Sequence, residues 1–212
     1  SGSAERTRPA HISAGAEMLL RKFPDPASDK LVRHILTSAR RATKLVNDVL
    51  DFTRGTMGKG IPVIIEPCPD LEGALRHVIA EIQSVHPDRS IVASIGDLRG
   101  AQCDRERVAQ LASNLVANAV AHGDAAGSVV VSARIDQGTF VLSVKNQGQI
   151  AEQVLPHLFR PYSRPSRDTP QAGLGLGLYI ASEIAKSHGG TLEVVSNAEQ
   201  GTIFTFSLPF RR

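Results

Sequence analysis

Tryptophan is absent from this chain, and the two tyrosines and seven phenylalanines leave aromatics at only 4% of residues. A core must therefore be built from Leu, Val, Ile and Ala. Cysteine is nearly absent too. Cys68 and Cys103 stand alone, outside any CxxC or metal-ligand spacing. That excludes a disulfide framework and a zinc module, and points to a reducing compartment. No apolar run reaches the roughly 18 residues needed to cross a bilayer, and "SGSAERTRPAHISAG" lacks the apolar centre of a secretory signal. The expectation is a cytoplasmic chain whose only route to a membrane is a sensor region outside it. Charge is balanced: 24 Lys and Arg against 21 Asp and Glu give a formal +3. So small an excess is a solvated surface and predicts no nucleic-acid partner.

What is present is apolar periodicity. Hydrophobic residues are 42% of 212, enough for one large domain or two small ones. Ile12, Ala16, Leu19 and Phe23 recur at helical spacing. "FPDPASDK" interrupts them, and Ser28 or Asp29 is placed to cap a second helix running to Thr56. Along it, Leu31, Ile35, Ser38, Ala42, Leu45, Val49 and Phe52 alternate spacings of four and three. Val32, Leu36, Ala39, Thr43, Val46, Leu50 and Thr53 do the same beside them. Two adjacent stripes make a face too wide for one helical hairpin to cover, which predicts a homodimer with a four-helix bundle. Packing of this face on the rest of the chain is the alternative. "GTMGKGIP" reads as a linker between a hairpin, residues 1–58, and a second domain, residues 61–212.

That second domain alternates. "IPVIIEP", "SIVASIG", "SVVVSARID", "TFVLSVKNQG", "TLEVVSN" and "TIFTFSLP" read as strands. "DLEGALRHVIAEIQSVH", opened by Asp70, "DRERVAQLASNLVANAVAHG", stopped by Gly123, and Leu178–His188 read as helices. The "QG" step predicts a hairpin, and residues 147–172 read as a long loop. The fold class is α+β: a helical hairpin, then an α/β sandwich with one mixed sheet and helices on one face.

Chemistry gathers at two places. Asn114, Asn118 and His122 are spaced i, i+4, i+8, on one ridge of one helix. Asn is a poor residue for a helix interior, because its amide competes for backbone bonds. A solvent-facing polar stripe explains one of them. The three together suit a site, since amide oxygens are hard ligands for Mg²⁺ and an imidazole can donate to phosphate. In "GLGLGLYIASEIAKSHGG", Gly173, Gly175 and Gly177 bare the backbone where a helix begins near Leu178. Free N–H groups and the positive dipole end there favour an anion.

These residues carry a resemblance. Residues 61–209 resemble the ATP-binding domain of sensor histidine kinases, within the gyrase, chaperone and mismatch-repair ATPase superfamily. "NLVANAVAHG" is similar to its N box, "LFRPYSR" to its F box with Phe159 and Tyr162, and "GLGLGL" to its second glycine box. The resemblance implies ATP and Mg²⁺ as cofactors, Mg²⁺ on Asn118 with Asn114, His122 and Arg164 near the phosphates, and a backbone cradle from Gly175 through Leu176 and Gly177 to Leu178. Residues 151–172 would form a lid. It also implies a protein histidine kinase of a two-component system, with a response-regulator receiver domain as partner.

Two departures stand out. The family's first glycine box usually holds an Asp that accepts the adenine amino proton. Here "VKNQGQI" has Asn146 in that slot, and the box is one residue short, keeping Gly148 alone. An Asn carbonyl accepts the same hydrogen bond without charge assistance. In the hairpin, aligning on Glu5 and Pro9 puts Ala4 where the phosphoacceptor histidine belongs. His11 is the nearest alternative acceptor, and Glu5 the acidic neighbour. These departures support a second reading: a non-catalytic dimeric scaffold or phosphotransfer protein with a degenerate ATP-binding domain.

Overall fold

The computed structural model describes residues 18, 26–58, 60–163 and 174–210. The chain divides into two compact units, one ending at Thr53 and one from Arg54 to Arg212.

In the first unit a single long helix is described, α1 (Pro26–Thr56), running into the start of the second. It begins three residues ahead of Asp29. Proline suits a first helical turn, where its missing N–H costs no hydrogen bond. The two stripes fare differently. Val32, Leu36 and Ala39 are buried, whereas Leu31, Ile35, Leu45, Val46 and Val49 are exposed. The apolar face is thus wider than this chain alone covers. Asp48 is buried as well, and desolvation raises its carboxyl pKa despite Lys44 Nζ at 3.4 Å. The expected first helix at 12–23 falls almost wholly outside the described residues.

The strands of the second unit are β1 (Glu66–Pro67), β2 (Ile91–Ile95), β3 (Gln102–Cys103), β4 (Val129–Asp136), β5 (Thr139–Asn146), β6 (Thr191–Asn197) and β7 (Gly201–Pro209). Five of them form one sheet in the order β2-β4-β5-β7-β6. Only its β2–β4 pair is parallel, so the sheet is mixed as expected. Gln137 and Gly138 both take positive φ, 47° and 77°, the geometry that matches strand twist in a two-residue hairpin. Alternation puts Val131, Ala133, Phe140, Leu142, Val144, Phe204 and Phe206 on the inner face, all buried. Phe140 meets Phe206 edge-on, with centroids 6.0 Å apart. Such a pair adds about 0.5–1.5 kcal/mol beyond its buried area.

Three helices accompany the sheet: α2 (Leu71–Val85), α3 (Arg105–His122) and α4 (Gly177–Ser187). One sequence expectation needs correction. "IPVIIEP" forms only the two-residue β1, paired with β3, too short to show alternation in sequence. The Ile64 amide, free of any ladder, donates instead to the Asp104 carboxylate at 3.0 Å. Asp70 precedes α2 but makes no side-chain cap bond. Its carboxylate lies over Gly73 and pairs with Arg105 at 3.5 Å. Within the long loop, Leu155–His157 form a single 3₁₀ turn.

Candidate functional site

Asp104 caps α3, accepting from the Arg107 amide at 3.1 Å. The Asp104 amide itself donates to His188 Nε2 at 3.1 Å, and His188 Nδ1 faces the Ile184 carbonyl at 2.8 Å. One ring nitrogen accepts, so the other carries the proton. His188, at the end of α4, therefore ties that end to the beginning of α3. At the other end of α4, Gly177 lies against Asn114. A Cβ built there would sit 3.5 Å from Asn114 Oδ1. The two helices are antiparallel, with 104 opposite 188 and 114 opposite 177.

This register has a consequence for the ridge. α3 continues past the start of α4, so Asn118 and His122 lie roughly 6 and 12 Å further along its axis, at 1.5 Å per residue. The first-turn amides of α4 point out of its N-terminus, along that overhang. Leu176, at the N-cap, offers them no side-chain acceptor. Burial falls along the ridge. Asn114 is 5% exposed, Asn118 is half-buried, and His122 is exposed. Asn118 makes no side-chain hydrogen bond within the described residues. Its carboxamide oxygen is open to a hard cation, and the first-turn amides suit that cation's anionic partner. Local crowding at the end of α3 lowers the His122 pKa below the usual imidazole value through desolvation, although its surface faces solvent.

The first glycine box adjoins the end of the ridge. Asn146, 4% exposed, ends β5, and its Nδ2 donates to the Gln147 carbonyl at 3.0 Å. The same carbonyl accepts from the Asp124 amide at 2.7 Å, pinning the end of the Asn ridge to the box. Gly148 takes φ of 118°, open to glycine alone at ordinary cost. Its carbonyl accepts from Thr202 Oγ1 at 2.9 Å. Ser196 Oγ lies 2.8 Å from Thr202 Oγ1 and accepts from the Ile150 amide at 2.8 Å. Sequence reasoning missed Thr202, Ser196 and His188. Their signals were a threonine directly after Gly201, opposite Asn146 across the ladder, and a histidine closing a helix before two glycines.

The F-box aromatics part company. Phe159 is half-buried and meets Phe204 edge-on at 6.3 Å. Tyr162 is 59% exposed, with φ of 60°. Gly175, Leu176, Gly177 and Leu178 all fall at the start of α4, with Leu176 buried. Ala4, Glu5, His11, Arg164 and Gly173 lie outside the described residues. No described helix is long and apolar enough to cross a membrane.

Residues 103–212 match the family of histidine kinase-, DNA gyrase B-, and HSP90-like ATPases. The chain is 33% identical over 205 residues to the bacteriophytochrome of Pseudomonas aeruginosa, covering 95% of this chain and 28% of that protein. It is 32% identical over 196 residues to the signal transduction histidine-protein kinase AfsQ2 of Streptomyces coelicolor, covering 87% of this chain and 34% of that one. Among solved structures, full-length ShkA in complex with AMPPNP superposes with a TM-score of 0.68 at 30% identity, over 98% of this chain and 44% of that chain. The histidine kinase AdeS of Acinetobacter baumannii shares the fold, with a TM-score of 0.65 at 20% identity, over 98% of both chains. The chain thus spans about a third of the length of the two curated relatives named.

Proposed function

Since the chain belongs to the family of histidine kinase-, DNA gyrase B-, and HSP90-like ATPases, we propose that it binds ATP with Mg²⁺ beside the start of α4 and acts as the core of a two-component protein histidine kinase. The observation that carries this reading is the overhang. First-turn amides at Gly177 and Leu178 face along a helix that presents Asn118 and His122. Residues 61–212 would be the ATP-binding domain, and residues 1–58 a dimerising hairpin.

In this reading the Asn118 oxygen, supported by Asn114, would hold Mg²⁺. The chemistry Mg²⁺ supplies there is neutralisation of phosphate charge. The backbone from Gly175 to Leu178 receives the phosphates, with Arg164 beside them, and His122 donates an imidazole N–H. Asn146 accepts from the adenine amino group at the closed end, next to Gly148. Phe159 anchors the lid stem on Phe204, and Tyr162 borders the opening. Positioning and charge compensation carry most of the rate in phosphoryl transfer. The γ-phosphoryl group passes from ATP to a histidine nitrogen, leaving ADP, and then to an aspartate of a response-regulator receiver domain. The AMPPNP complex of ShkA, which shares this fold, supports ATP as the nucleotide. The exposed Leu31, Ile35, Leu45 and Val49 support a second copy as the dimer partner.

A scaffold reading draws on departures in the sequence: Ala4 in the expected acceptor slot, and a shortened first glycine box with Asn146 in place of the usual Asp. Calorimetry with AMPPNP, with and without Mg²⁺, separates the two. Mg²⁺-dependent binding that is lost in Asn118→Ala supports the kinase. Absence of binding at millimolar nucleotide leaves the scaffold. Acid-labile, base-stable label from γ-labelled ATP then reports transfer to histidine.

A further inference from the structure

Arg89 belongs to none of the motifs above. It stands half-buried in the turn between α2 and β2. That turn is tied from inside by Gln83. Its Nε2 donates to the His86 carbonyl at 3.1 Å and the Arg89 carbonyl at 2.7 Å, and its Oε1 accepts from the Ile91 amide at 3.2 Å. The Arg89 amide adds a bond to the His86 carbonyl at 3.1 Å. The backbone carrying Arg89 is thus fixed before its side chain is considered.

From this base the guanidinium reaches the end of the Asn ridge. Nη1 donates to the Asp124 carbonyl at 2.7 Å, and Nη2 to the Gly123 carbonyl at 3.5 Å. These carbonyls follow the C-terminus of α3, close to the negative end of its dipole, and a cation near the last turn is favoured. Arg89 Nε is buried with no hydrogen-bond partner among the described residues. Leaving a buried donor unmade is costly, so the side chain is held in this pose against a penalty. The grip is passed on. The Asp124 amide donates to the Gln147 carbonyl, which also accepts Asn146 Nδ2.

We propose that Arg89 is a positioning residue for the nucleotide site, clamping the end of α3 onto the first glycine box so that His122 and Asn146 keep their separation. The proposal rests on the ATP reading above. A planar fork holds two donors in fixed directions toward two successive carbonyls here, a pre-organisation that a rotating ammonium lacks.

Calorimetric titration of the full chain with Mg²⁺ and AMPPNP tests it on native protein, Arg89→Ala and Arg89→Lys, with thermal unfolding measured alongside. Arg89→Ala is expected to bind about tenfold more weakly, as befits loss of a charged hydrogen-bond donor. Arg89→Lys falls between. Millimolar guanidinium ion restores most of the loss in Arg89→Ala and leaves native protein unchanged. Binding by Arg89→Ala within twofold of native, or a loss that guanidinium does not recover, overturns the proposal while the ATP reading stands. Native protein that binds no AMPPNP overturns both. Should Arg89→Ala fail to fold, Arg89→Lys decides by the same criterion: binding equal to native overturns the clamp.

Discussion

The amide of Tyr162 donates to the carbonyl of Gly175 at 3.1 Å, and both residues are left-handed, with φ of 60° and 69°. This bond joins the F box to the second glycine box across the lid segment. Glycine takes that conformation freely, whereas an L side chain pays roughly 1–2 kcal/mol. Gly175→Ala is therefore expected to lose about that much stability in urea denaturation. Gly177→Ala should stay within about 0.5 kcal/mol of native, because its φ is ordinary and a Cβ there meets Asn114 at normal contact distance. Equal losses in the two variants would refute the distinction.

Asp104 serves two elements at once. One carboxylate oxygen caps α3 through the Arg107 amide, and the other holds the Ile64 amide. Asp104→Ala should cost about 1–2 kcal/mol by urea titration, at the upper end for a lost cap. Asp104→Asn keeps one acceptor and should recover more than half of it.

Burial raises the pKa of both thiols, and pushes Cys103 up to about 12 from 9.0. The thiolate is the reactive form. A thiol reagent at pH 8 is expected to find no accessible cysteine in the native chain and two after denaturation. The sign for stability follows from the raised values. The folded state favours the protonated thiol, so the contribution is complete below pH 9 and is lost as pH climbs toward 12. Alkaline unfolding of Cys103→Ala should show a shallower decline over that window.

His122 has a lowered pKa before any ligand arrives. A phosphate beside it favours the protonated ring and raises that value. Nucleotide affinity in the native chain should therefore gain, relative to His122→Ala, as pH falls from 8 toward 6. Parallel pH profiles in native and variant would remove His122 from the phosphates.

The strands, the hairpin turn and the Asn ridge were legible because each is a local pattern. Alternation in Val129–Asp136, the Gln137–Gly138 step and the i, i+4, i+8 ridge of two carboxamides and an imidazole all fall within a few turns of chain. The helix register was not legible. It depends on His188 meeting an amide 84 positions away, and no periodicity encodes that distance. β1 was over-read as a strand across residues 61–67, and β3 escaped for a different reason: two-residue strands have no alternation to read, and side-chain bonds such as that of Ile64 to Asp104 compete with the ladder. Arg89 was invisible in sequence because a lone arginine in a polar turn looks like surface charge until its carbonyl partners are known.

The pairing of Asp104 with His188 acts as the zero mark of a ruler. Every ridge position is a fixed count of residues from it, so an insertion shifts them all together. One residue inserted between 105 and 113 would rotate the carboxamides by about 100° and advance them by about 1.5 Å, turning Asn118 off the glycine-rich end while leaving composition and apolar content almost unchanged. One residue inserted after Asp124 would leave both helices in step.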